Sequence, residues 1–321
     1  MSNLLDEINY LYFVSGIIAG YGSLIIFVLG IIGNSINILV FSCFSQFNKG
    51  ASPVFLLFSF VTSQTYLLFL LLPQIISQLS GVDSLVTYLP LCKIRWFVPT
   101  GGATISLHCL SLAAFNQYLL VSRNVRHHQW INQRRAVLMS SIVVIYTAGL
   151  MSPNLVYYKH IVTAPNKTQC TVIDPIGKTY DVYNGFVIYS LLPIIALSTF
   201  SFLTWWNIRK GMVRRAKLER SLARLIFAQI IMVLLASIGF FIRRIYFLYY
   251  ISTGKSPLQL AQETLFNMIF LLIGHIIHSF SFYTYFITSE VFRQNLLSFF
   301  GKRATRVEPT GTRMKTMSRM K

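Results

Sequence analysis

Residues 136–155 read AVLMSSIVVIYTAGLMSPNL, a run dominated by Val, Ile, Leu and Met with no charged residue. A helix of about 20 apolar residues matches the hydrocarbon thickness of a bilayer. In lipid the backbone must satisfy its own hydrogen bonds, so such a run has to be helical. Working outward, the quoted run extends over 136–158, and six others of similar character lie at 18–44, 54–80, 93–121, 184–207, 223–250 and 264–287. The stretch 54–80 is likewise uncharged. The expected fold class is an all-α membrane protein, a seven-transmembrane helix bundle spanning 18–288.

Composition agrees. The chain has 321 residues, 54% hydrophobic and 12% charged, against about 25% charged in soluble domains. So few charges cannot coat a globule of this size, and lipid must cover much of the surface. The net charge of +19 does not point to nucleic acid, because the basic residues fall in short loops between apolar runs and in the tail. That is the pattern of positive charge kept in the cytoplasm. With the N-terminus outside, the inner side holds Lys49, Arg123, Arg126, Arg134, Arg135, seven cations between Arg209 and Arg224, Arg293 and the basic tail, 20 of the 28 basic residues. Asp6, Glu7, Asp83, Asp174, Asp181 and Glu263 then lie outside. The expectation is a multi-pass plasma-membrane protein with residues 1–17 extracellular and the C-terminus cytoplasmic. Asp6 and Glu7 without a basic n-region argue against a cleaved signal peptide.

Ser289–Phe300, SEVFRQNLLSFF, is too short and polar to span. It suits an interfacial amphipathic helix. Gly301–Lys321 is basic and rich in Thr, Arg and Lys, and reads as a disordered tail drawn to anionic lipid.

Several positions carry a family resemblance in register. Gly33-Asn34 lies in the first run, and Cys92 opens the third, which closes on Asn116-Gln117-Tyr118. Pro73, Pro153 and Pro193 lie in the second, fourth and fifth, and Ser281-Phe282-Tyr283-Thr284-Tyr285 precedes FITSEVFR. Taken together these resemble the rhodopsin-like G-protein-coupled receptors, as a divergent member with a peptide-receptor-like outer end. Where that family has Asp-Arg-Tyr this chain has Asn-Gln-Tyr, where it has Asn-Pro-x-x-Tyr this chain has Ser281-Phe282-x-x-Tyr285, and its second-helix acid corresponds to Gln64. The sixth run reads Ser237-Ile238-Gly239 instead of a Trp-x-Pro element. The resemblance implies an extracellular ligand, a heterotrimeric G protein as transducer, and an activation switch at Asn116, Gln117, Tyr118, Ser281 and Tyr285. It also implies a disulfide between Cys92 and Cys170, the alternative being two free thiols. Loss of the acid argues against the family's sodium site.

The remaining candidates come with rival readings. Arg243 and Arg244 interrupt the sixth run about 27 Å beyond Leu225 at 1.5 Å per residue. An arginine at membrane depth is costly and often functional, so one would hold an anionic ligand group; the alternative is that both snorkel to headgroups. Arg95, Trp96 and Glu263 are candidate pocket-rim residues or plain helix-end charges. His275 and His278 stand at i, i+3 without a third ligand, which favours hydrogen bonding inside the bundle over a metal, with His275 a candidate ligand contact. Asn166-Lys167-Thr168 is a glycosylation sequon. No cofactor is expected, since 263–289 contains no Lys for a retinal Schiff base. No HExxH, GxSxG or paired intramembrane carboxylate suggests an enzyme. A transporter or channel would be expected to show repeats or paired buried charges. A receptor for a peptide or acidic ligand is the favoured reading, with an atypical receptor of altered or absent G-protein coupling beside it.

Overall fold

The computed structural model describes residues 2–43, 50–81, 88–122, 124–164, 167–210, 217–249 and 254–305. Seven helical spans among them are long and apolar enough to cross a membrane. They are α1 (Asn3–Cys43), α2 (Ala51–Ser80), α3 (Leu89–Val121), α4 (Gln133–Tyr157), α5 (Pro175–Arg209), α6 (Lys217–Tyr249) and α7 (Pro257–Ser279). Two shorter helices follow, α8 (Ser281–Thr288) and α9 (Glu290–Thr305). Between α4 and α5 stands a hairpin of β1 (Tyr158–Ala164) and β2 (Lys167–Val172), antiparallel, with His160 opposite Cys170.

The ends of the spans differ from the sequence boundaries for local reasons. Residues 2–17, read as a segment preceding the bundle, are helical and continue into the membrane run through a π-helical stretch, Ile18–Gly22. α5 begins at Pro175 because Asp174 accepts a hydrogen bond from the Gly177 N–H and Pro at the first position suits a helix start. α7 begins at Pro257 behind a reciprocal capping box of Ser256 and Gln259. It breaks at Phe280, so the run 264–287 is two helices rather than one. Helix α9 continues to Thr305, which places 301–305 in the helix and not in the tail; 306–321 lie outside the described residues.

Two prolines shape the membrane helices. Pro has no N–H, and its ring clashes with the carbonyl four residues back. The π-helical turns Leu67–Leu71 and Asn184–Leu191 end two residues before Pro73 and Pro193. The widened turns absorb the clash without ending the helix.

Helix α2 sits at the centre against α1, α3, α4 and α7. Without a hydrophobic drive between helices in lipid, close packing through small residues takes over. A Cβ on Gly102 would lie 2.9 Å from the Thr62 backbone carbonyl, so the α2–α3 crossing depends on that glycine. A Cβ on Gly33 would lie 2.9 Å from the Phe282 Cβ, and one on Gly30 2.6 Å from Leu67 Cδ1. By contrast α4 turns Leu138, Ile142 and Ile145 outward, as a lipid-facing helix should.

Candidate functional site

At the hairpin end of the bundle, Cys92 and Cys170 form a disulfide with Cα atoms 5.7 Å apart, tying β2 to the start of α3. A small core of Cys92, Tyr158 and Val172 surrounds it, with Trp96 and Tyr157 packed alongside. Trp96 stacks on Tyr158 at 5.1 Å, its carbonyl accepts from Asn154 Nδ2, and the Arg95 guanidinium lies 6.0 Å from the Trp96 ring. Tyr158 Oη donates to Asp181 Oδ1 at 3.2 Å, reaching α5. Trp96 thus holds the hairpin, with Arg95 beside its ring.

Glu263 stands near the start of α7. It accepts from Tyr246 Oη of α6 at 2.7 Å and pairs with Lys255 at 2.7 Å. Tyr246 and Glu263, with Gln259, Gln262 and Phe266, line a cavity of about 250 Å3. The backbone of Arg243 and Arg244 runs in α6 one turn before Tyr246, while their side chains, like Asn166, lie outside the described residues.

In the middle of the bundle the two histidines organise a buried network. Tyr66 Oη meets His275 Nδ1 at 2.7 Å. Ser63 Oγ is 3.3 Å from His278 Nδ1, and Tyr189 Oη is 3.3 Å from His278 Nε2. Ser106 Oγ sits 2.8 Å from both Ser59 and Ser63, and Asn34 Nδ2 donates to the His278 carbonyl at 2.9 Å. Five helices, α1, α2, α3, α5 and α7, therefore meet on His275 and His278, both fully buried. An interhelical hydrogen bond in a membrane is worth about 0.6 kcal/mol on average. Six together stabilise by a few kcal/mol, and they fix which faces meet. Gln64 is only half-buried, and its Oε1 has no hydrogen-bond partner among the described residues. The face of α2 turned to α3 and α7 carries Ser59 and Ser63 instead. One residue of helical phase, about 100°, separates the sequence assignment from the observed one.

At the basic end, Asn116 Nδ2 and Gln117 Nε2 both donate to Ser52 Oγ, at 2.7 and 3.0 Å, and both residues are buried. Tyr118 stacks on Phe200 of α5 at 6.1 Å. Tyr285 is fully buried among Phe41, Phe60 and Phe292, and its hydroxyl has no hydrogen-bond partner among the described residues. Ser281 is buried at the start of α8. Sequence reasoning missed Ser52, Ser59, Ser63, Tyr66, Ser106 and Tyr189. A signal existed in α2, because Ser52, Ser59 and Ser63 recur at i, i+7 and i+11 along one face.

The sequence model of the family described as 7 transmembrane receptor (rhodopsin family) matches residues 33–283, which is most of the chain and runs from Gly33 to the Ser281–Tyr285 segment. The chain belongs to the rhodopsin family of seven-transmembrane receptors. A comparison with curated proteins finds no match to it. As a rhodopsin-family receptor it is a multi-pass membrane protein whose general partners are an extracellular ligand and a G protein. The Gly33-Asn34 pair of this receptor now has a physical role: Gly33 lets α8 approach, while Asn34 grips the α7 backbone just before its break.

Proposed function

We propose that the receptor lies with its N-terminus extracellular, takes a peptide or acidic ligand between the outer ends of α3, α6 and α7, and signals to a heterotrimeric G protein at the basic end. The orientation is supported by the loop charges. The ligand class is supported by the cations Arg243 and Arg244 in the sequence of α6 and by Lys255, which pairs with Glu263, with Glu263 available to a basic group of a peptide. Lys93, Arg95 and Trp96 open α3 beneath the hairpin, and His275 lies deeper, so its contribution passes through Tyr66. Asn166 of the Asn166-Lys167-Thr168 sequon is the proposed glycan acceptor.

The observation that carries the reading is the pair of buried polar clusters along α2. One faces the histidines, and the other faces Asn116 and Gln117. Hydroxyls and amides exchange partners at little cost, so such clusters support two packed arrangements that a ligand can bias. A second reading is favoured by Asn116 and Gln117 themselves. The pair is neutral where the family has an ion pair, which fits a receptor with altered or absent G-protein coupling.

The test is a second-messenger assay in cells expressing the receptor, screened with a neuropeptide library that includes acidic peptides. Arg244→Ala should raise the half-maximal agonist concentration about tenfold, the loss of one charge-assisted hydrogen bond, with surface level unchanged. Equal loss of potency and surface level would instead mean that Arg244 only anchors α6 in the headgroups. Antibody access to an N-terminal epitope on intact cells reads the orientation directly.

A further inference from the structure

At the basic end, α5 and α6 enclose a groove of about 890 Å3, lined by Thr204, Trp205, Ile208, Ala223, Arg224, Phe227, Ala228, Ile231 and Thr288. Its walls are hydrocarbon and aromatic, and Trp205, Ile208, Phe227 and Ile231 are exposed on the lipid-facing side. Arg224 is the one charged side chain among the described residues of the lining. A second cation stands beside it, since the Arg209 guanidinium lies 5.1 Å from the ring of Trp205. Lys210 Nζ lies 4.4 Å from the ring of the adjacent Trp206. These contacts keep both charges at the interface, over indole faces, where cation–π attraction holds them.

We propose that this groove binds one anionic glycerophospholipid, with an acyl chain between α5 and α6 and the phosphorylated headgroup on Arg224 and Arg209. The volume lies in the range of small-molecule sites. The lining demands an apolar occupant continuous with the bilayer, and the rim demands a negative one. Charge complementarity is strong. Between Arg209 and Arg224 the sequence carries seven basic residues and one acid, Glu219, and juxtamembrane clusters of this density attract polyanionic lipid. Ala223 and Ala228 supply the depth; large side chains there would close the groove. A lipid seated here would set the spacing of the two helices that flank the transducer face. In the cell the inference rests on that face being cytoplasmic.

The test uses purified full-length receptor in nanodiscs of phosphatidylcholine alone, with phosphatidylserine, or with phosphatidylinositol 4,5-bisphosphate. Retained lipid is counted by native mass spectrometry after detergent extraction. Nanodiscs offer the same lipid to both faces, so the result does not depend on orientation or on signalling. The bisphosphate lipid should be retained in preference to phosphatidylcholine. Arg224→Gln should cut that enrichment about fivefold, the effect of one basic residue near the surface. Ala228→Trp should lower it further, while Lys178→Gln at the other end should leave it unchanged. Soluble inositol trisphosphate should fail to displace the bound lipid. Equal retention of neutral and anionic lipid overturns the proposal. So does retention indifferent to both groove variants while their thermal unfolding matches wild type, or displacement by the soluble headgroup.

Discussion

Gln117 is the residue where this receptor departs furthest from its family, and the structure shows why the departure is stable. Its amide donates to Ser52 and is buried beside Asn116, which donates to the same oxygen. The partner described for both amides is the neutral Ser52 hydroxyl, so an arginine placed there without an added carboxylate would bury a poorly neutralised charge, at a cost of about 3 kcal/mol or more. Gln117→Arg should therefore lower the thermal unfolding midpoint and the surface level. Adding Asn116→Asp, which supplies the missing charge, should recover much of the loss. If the single variant is as stable as wild type, the pocket around Ser52 is wetter or more adaptable than its burial indicates. The same scale shows the limit of reading residues in a line. The resemblance singled out Asn116 and Gln117 but not their partner Ser52, because the recurrence of Ser52, Ser59 and Ser63 marks one polar face of α2 without saying which neighbour that face meets. Gln64 shows the converse, where a match by position put the polar group on the wrong side of its helix.

Among the elements, apolar length made all seven spans visible, since a bilayer imposes that length on any helix that crosses it. What stayed hidden was set by single capping groups. Asp174 starts α5 and Ser256 starts α7 in stretches that look like loop by hydropathy. The break at Phe280, which separates α7 from α8, leaves no mark in composition. The hairpin Tyr158–Val172 falls within what the sequence shows only as a long loop, and its anchor came from the resemblance of Cys92 and Cys170. At Gly102 a new Cβ meets a backbone atom, the carbonyl of Thr62 at 2.9 Å. A backbone atom cannot swing aside, so Gly102→Ala should destabilise by about 1–3 kcal/mol, the range for overpacking. Gly149→Ala on lipid-facing α4, where a Cβ meets nothing within 4 Å, is the control. Thermal unfolding of the two purified variants distinguishes them, and equal midpoints would contradict the tight α2–α3 crossing.

For the whole molecule, two of the buried polar clusters are joined by α2. One binds α1, α2, α3, α5 and α7 through His275 and His278, and the other ties α3 to α2 through Ser52. Phe41, Phe60, Tyr285 and Phe292 pack ring against ring as an aromatic plug. In this arrangement Tyr118 and Tyr285 keep separate company, the first with Phe200 and the second inside the plug. Signalling in this account means that an outer ligand rearranges the histidine cluster, the plug opens, and the basic end admits a transducer. The most direct measurement is energy transfer between labelled G-protein subunits, and between receptor and arrestin, in living cells treated with the peptide library. It should be made for wild type and for Asn116→Asp/Gln117→Arg. Ligand-dependent G-protein dissociation in wild type is the expected result. Silence of both forms toward every G protein and arrestin, at verified surface expression, would contradict it.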